Sequence, residues 1–348
     1  MRPWLRKVFL VFALIIAVLS IWKFDLILYG FRQLNGQIGI INGSKPISEL
    51  ISSGSLDSAT KAKLLYIEEV RKFAIDSLGL KDTENYTTYF DQQNKPIMWV
   101  VTGSLPYELK EKTWWFPVIN TVSYKGFFLE ELALEEAKQI ESEGYESDIY
   151  NPSGWSTLGF FTDPVLSGML ARGPGKLAEL IMHEMAHETV YLRSEVDLNE
   201  NLATLVGEVG AMRFLDYKFG VQSVESIRYR ERIMDDQIYY KHMLEGYKRL
   251  DSLYQTFKDG MKTKVKAQKK YELITDVLLG INQIGLKNKS IYLYDFSKGK
   301  LPGNPEFISY SRYRRDLDQL ENTLKTRYDN HIGSMLEAVK KQGREALN

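Results

Sequence analysis

The chain contains no cysteine. Disulfide staples, thiol nucleophiles, thiolate metal sites and anchoring through a lipidated cysteine are therefore all excluded. Histidine is scarce, with four in 348 residues, so any metal site must be built from a few imidazoles together with Asp or Glu. Neither charge is in surplus: 45 Lys plus Arg face 45 Asp plus Glu. A nucleic-acid-binding protein needs excess positive charge to displace counterions from phosphates, and here the balance is zero. Internal repeats and low-complexity tracts are missing as well. What remains, 44% apolar and 26% charged, is a globular composition in a chain long enough to bury a sizeable core.

One apolar run stands out. Arg2, Arg6 and Lys7 precede an uncharged stretch over 8–22, after which Lys23 and Asp25 return the chain to water. Fifteen helical residues cover about 22 Å, short of a ~30 Å hydrocarbon core. Snorkelling of Lys7 and Lys23, with Trp22 at the interface, would close that gap. No small-x-small cleavage site follows, since Leu19, Ser20 and Ile21 fit poorly. Residues 1–25 are expected to form an uncleaved membrane anchor, a cleaved signal being the competing reading. The basic flank then puts residues 26–348 outside the cytoplasm, on a single-pass protein of the cytoplasmic membrane.

Beyond the anchor the pattern is α+β, with residues 26–348 expected to form one domain that has a small mixed sheet and a long helical hairpin extension. Gly30, Gly36, Gly39 and Gly43 are expected to break any long element over 26–60. Leu64, Ile67, Val70, Ala74 and Leu78 predict an amphipathic helix over 60–79. From 84 to 128, Tyr, Trp, Ile and Val cluster between Gly and Pro breaks and predict several short strands. Helices are predicted over 129–143, 174–193 and 199–217, with one strand near 154–161 between them. Residues 222–286 predict a long antiparallel helix pair broken at Asp259-Gly260, and 306–345 is helical again.

Chemistry concentrates at His183-Glu184-Met185-Ala186-His187. Residues four apart on a helix share a face, so both imidazoles can meet one Zn²⁺, with Glu184 beside them as general base. Pro174 suits the first turn of this helix, and Leu177, Leu180, Ile181 and Leu192 give it an apolar face. A third ligand must come from elsewhere, and Glu200 in the next helix is the candidate. Ala203, Thr204, Gly207 and Ala211 form a stripe of small side chains beneath it, which would let the two helices press together. The competing reading of Glu200 is a carboxylate stabilised by the helix dipole. Glu208 either orients a ligand imidazole or is a surface carboxylate. His242 and His331 read as solvated.

These residues resemble the bacterial family of putative aminopeptidases, gluzincin-type zinc metallopeptidases with H-E-x-x-H followed by N-E-x-x-A. The resemblance runs from about residue 30 to 320 and includes QLNGQIGIINGSKPI, WWFPVINTVSYKGFF, GWSTLGFFTDPVLSGML, LAELIMHEMAHETVY and NENLATLVGE. It implies a zincin-like fold, one zinc ion held by His183, His187 and Glu200, a peptide substrate, and hydrolysis with Glu184 as base. Two features depart from the family: the lipoprotein cysteine is missing, and its Asn-Asn-Ala stretch appears here as Gly303-Asn304-Pro305.

Three positions remain open at this level. An oxyanion donor is expected among Tyr310, Arg312 and Tyr313, of which Tyr313 matches a family tyrosine. Glu130, Glu131, Asp163 and Glu208 could grip a substrate ammonium. The substrate is expected along a sheet edge at 154–161, in strand-addition fashion, unless that strand lies in the core. A zinc endopeptidase acting on envelope proteins and a non-catalytic scaffold using the 222–286 pair are the rival functions. Oligomeric state is not legible.

Overall fold

The computed structural model describes residues 24–117, 120–152, 162–193, 195–314 and 316–347. Most of the anchor segment and the strand expected at 154–161 lie outside the described residues. Among the described residues no helix is long and apolar enough to cross a membrane.

The first element corrects an expectation. Residues Phe24–Gly43 form one unbroken helix, α1, despite their glycines. A Cβ on Gly36 would overlap the Phe128 ring, and one on Gly43 would come within 2.6 Å of Phe90. These glycines therefore act as sockets for aromatic rings, and the docking contacts outweigh their low helix propensity. After a two-residue strand β1 (Lys45–Pro46) and α2 (Ile47–Ser53) comes α3 (Ser58–Leu78), the amphipathic helix expected at 60–79. Asp57 starts it by accepting 2.9 Å bonds from the backbone of Ala59 and Thr60, and Gly79 ends it in the left-handed region.

The strand-rich stretch gives β2 (Thr88–Phe90), β3 (Trp99–Ser104), β4 (Trp114–Phe116), β5 (Asn120–Val122) and β6 (Tyr124–Phe127). Helix α4 (Glu130–Ser142) then leads to β7 (Glu146–Tyr150), and β8 (Val165–Leu166) follows. Instead of the single mixed sheet expected, they form three small ones. β1-β2-β8 is mixed, β6-β3-β7 is antiparallel, and β4-β5 is a separate antiparallel pair. Val101 and Phe127 turn toward Ala133, Ala137 and Ile140 of α4, so α4 covers one face of the second sheet. Cross-strand partners Thr102, Tyr124 and Asp148 share the other face, and Val100 opposite Tyr150 extends it.

The remaining chain is helical: α5 (Pro174–Thr189), α6 (Val196–Phe219), α7 (Val224–Gln255), α8 (Thr263–Gly280), α9 (Asn304–Arg314), α10 (Leu317–Tyr328) and α11 (Ile332–Gln342). The main core joins α3, α5, α6, α10 and α11. The expected helix pair exists as α7 and α8, and their connection contains Gly260 at φ +84°. It is less of an appendage than its sequence suggests. Tyr229, early in α7, is buried in the main core, whereas Met243, Leu250 and Tyr254 join α8 and α9 in a second cluster. His242 is also not solvated: its Nε2 lies 2.8 Å from the Val277 carbonyl and ties the two helices together. His331, exposed at the start of α11, is as expected.

Candidate metal centre

Helix α5 is specified at both ends. Pro174 occupies its first turn, and Leu177, Ala178, Ile181, Met182, Met185 and Ala186 bury its apolar face. The helix stops at Thr189, four residues earlier than predicted. Val190 is extended, and Asn199 then bridges the turn, accepting from Leu192 N at 2.9 Å and donating to Leu192 O at 2.8 Å. That one amide folds the chain back into α6, so Glu200 returns beside the helix that carries the two histidines. Asn201, fully buried, donates to Asp197 O and Arg312 O and accepts from Asp316 N. The residues on either side of Glu200 are thus fixed by hydrogen bonds.

The expected close approach of α5 and α6 is present. A Cβ on Gly207 would stand 2.8 Å from the Glu179 carbonyl and 3.2 Å from His183 Cβ. At Gly210 it would meet Met182 Sδ at 2.6 Å. Only glycine lets the backbones lie this near.

The result is convergence. Ligand atoms of His183, His187 and Glu200 all fall within 4.8 Å of one another. The two Nε2 atoms are 3.2 Å apart, and Glu200 Oε2 and Oε1 lie 3.5 Å and 3.7 Å from His183 and His187. Donors about 2.0–2.1 Å from a tetrahedral centre stand about 3.3 Å apart, so this set fits a zinc ion. Nδ1 of His187 is buried without a hydrogen-bond partner among the described residues, so this ring's polar contacts run through Nε2 toward the same point.

Electrostatics follow from the geometry. Burial works against the charged form of His183, but the Glu200 bond and the charges of Glu184, Glu200 and Glu179 outweigh it and raise the imidazole's pKa. Burial would also raise Glu200, yet the two histidines hold its carboxyl far below the usual range. Glu184 is raised, chiefly by burial, with His183 and His187 opposing and Glu200 and Glu188 adding to it. Behind it, Thr83 donates to Glu188 at 2.5 Å and Asn85 donates to the same carboxylate, locking the last turn of α5.

The other expected residues are scattered. Tyr310 sits in the second cluster with its hydroxyl 3.0 Å from Tyr239 OH and 3.3 Å from Glu306, which occupies it elsewhere than at the histidines. Arg312 is held by Glu111 at 2.5 Å and Ser123 at 2.7 Å. Tyr313 lies within α9, and its side chain is outside the described residues. Glu130 and Glu131 open α4, on the covered face of the sheet, and Asp163 is fully buried. Glu208 is not a surface carboxylate: it is buried and borders a cavity of about 590 Å³ with Met212, Arg213, Gln237 and Asp318.

What the sequence reading missed is the opposite wall. Tyr124 and Tyr150, on the sheet face turned away from α4 and toward α9, are within electrostatic reach of Glu200. Desolvation by the surrounding protein raises both phenols although each residue is 44% exposed, and Tyr150 is pushed up to about 12, so both remain hydroxyl donors at neutral pH. Asp148, Tyr150, Glu111, Glu306 and Arg312 line an adjoining cavity of about 340 Å³. The alternation of β6 and β7 could have placed these tyrosines on one face, but not which helix that face meets.

No curated protein and no solved structure matches the chain. A family model does, and it spans residues 28–346, from the second turn of α1 through α11, and takes in all three converging side chains. By that match the chain belongs to the family described as Putative aminopeptidase.

Proposed function

We propose that this member of a peptidase family is a zinc-dependent aminopeptidase with a zincin-like arrangement, held at the membrane and facing away from the cytoplasm. One observation carries the metal-dependent part: the 3.2–3.7 Å spacing of two imidazole nitrogens and one carboxylate, with a second carboxylate, Glu184, in the same turn. His183, His187 and Glu200 would hold the ion. When bound, zinc supplies Lewis acidity at the scissile carbonyl and makes a neighbouring water easier to deprotonate. Glu184 takes the proton from the attacking water and passes it to the leaving amine nitrogen. Its raised pKa suits a group that must hold that proton briefly. The Tyr124 and Tyr150 hydroxyls, kept protonated, can donate to the oxygen on which negative charge develops.

The test is metal content and substrate choice together. Purified protein is expected to carry about one equivalent of zinc and to lose it in His187→Ala. Peptides with a free amine should be cleaved, and their N-acetylated forms should resist. Equal rates on both would replace the aminopeptidase with an endopeptidase, and absence of both metal and hydrolysis would leave a scaffold.

Tethering rests on the apolar run at 8–22 and its basic flank. The full chain is expected to stay with membranes through alkaline carbonate washing and to be clipped by protease added to the extracytoplasmic side. Release by carbonate, or protection from that protease, would sink the topology.

A further inference from the structure

Six large apolar side chains of α1, Phe24, Ile27, Phe31, Leu34, Ile38 and Ile41, are 39% to 65% exposed. They recur in alternating steps of three and four residues, the spacing of a coiled-coil seam. The row is about 26 Å long at the helical rise. Another face of α1 is already used by the body of the protein. Tyr29 and Gln33 donate to the Gly126 carbonyl at 3.0 Å and 2.9 Å, Gln37 and Ile40 are buried, and Gly36 receives the Phe128 ring. The seam therefore points away from the surface on which α1 is docked.

Two observations say what covers it. The residues flanking the row, Leu28, Gly30, Asn35 and Asn42, are uncharged, so two identical helices meet there without like-charge repulsion. A helix lying on lipid would instead carry Lys and Arg along its polar face, and α1 has Arg32 alone. Second, the 23 residues before the described structure end where the row begins. The same spacing carried back through their sequence falls on Ser20, Ala17, Ala13 and Leu10. Small residues in that register are what close helix packing within a bilayer uses.

We propose that α1 is a dimerisation helix whose row at 24–41 meets the same row of a second copy in a parallel coiled coil. A free helix of fewer than three heptads would be marginal in water. Here α1 is already ordered by its contacts with the body, so association does not bear the cost of folding it. The proposal is independent of the peptidase reading.

The cysteine-free chain makes the test direct, because each introduced thiol is the only one. Full-length Phe31→Cys and Leu34→Cys on the row, and Arg32→Cys and Gly39→Cys beside it, are purified in mild detergent and oxidised with diamide. A disulfide needs Cα atoms within about 7 Å. Covalent dimer is expected as the main product of the two row variants and should be absent from the two neighbours. Phe31→Glu with Leu34→Glu should convert a dimeric mass to a monomeric one by light scattering, with the helical content of the protomer unchanged because both side chains face away from its own body. Equal crosslinking on and off the row, or a monomeric mass for the unmodified chain, overturns the proposal. So does quenching by nitroxide lipids of a fluorophore at Leu34→Cys in monomeric protein, which would assign the row to the bilayer.

Discussion

Replacing Glu184 by Gln is expected to lower kcat by about 10²- to 10⁴-fold, the usual worth of a positioned general base, while leaving zinc content and melting temperature unchanged. The substitution keeps the size of the side chain and removes the carboxylate proposed to accept the proton. Glu184 sits one residue from His183 in α5, and its raised pKa has burial as its main cause. An amide in that half-buried place costs little, since it replaces a carboxylate that burial already disfavours in its charged form. The split between KM and kcat is diagnostic. Loss of the base alone lowers kcat with KM nearly constant, because substrate binding does not use the transferred proton. The measurement is steady-state hydrolysis of a free-amine peptide, with metal analysis on the same preparation. Unchanged kcat would remove Glu184 from the mechanism.

His183→Ala gives the contrasting result. It should take metal and activity away together, since two of three donors cannot hold the geometry. Comparing the two variants separates holding the ion from moving the proton.

Much of this centre was legible because its signals are local. Helical period places His183 and His187 on one face whatever the rest of the chain does. Pro174 and the small residues of α6 likewise state their roles in the sequence. Glu200 was reachable for a weaker reason, because only one nearby helix offered a carboxylate above a small-residue stripe. What escaped depended on contacts distant in sequence. Gly36 and Gly43 of α1 look like helix breakers until Phe128 and Phe90, some fifty to ninety residues later, are seen filling the gaps. Tyr310 reads as a donor until Tyr239 and Glu306 are found to occupy its hydroxyl. His242 reads as solvated because its partner is a backbone carbonyl on the next helix, which no side-chain pattern announces. Tyr124 and Tyr150 were missed for the same reason. Strand alternation gives their face, and only the assembly of sheet against helices tells what that face meets.

Gly207→Ala should have the largest effect of any change that touches no donor atom. Its new methyl would lie 2.8 Å from the Glu179 carbonyl, a backbone atom that cannot rotate aside, and 3.2 Å from His183 Cβ. Relief requires α6 to move away from α5, and that separation is what fixes the distance between Glu200 and the two imidazoles. Ligand distances in a zinc site tolerate about 0.2 Å, so a shift of that order is enough. Zinc affinity is expected to fall by about 10- to 100-fold, as when an outer-shell partner is lost. Stability should fall by about 1–3 kcal/mol from overpacking. Gly39→Ala is the control: it also lies in a helix interior, but open space surrounds its Cβ, so the better helix former should leave metal binding untouched. Competitive zinc titration and thermal melting, each with and without metal, read both effects. If overpacking acts through the α5–α6 separation, the stabilisation gained from zinc shrinks in Gly207→Ala and stays whole in Gly39→Ala. Equal zinc affinity in the two variants would mean that the spacing of these helices does not set the site.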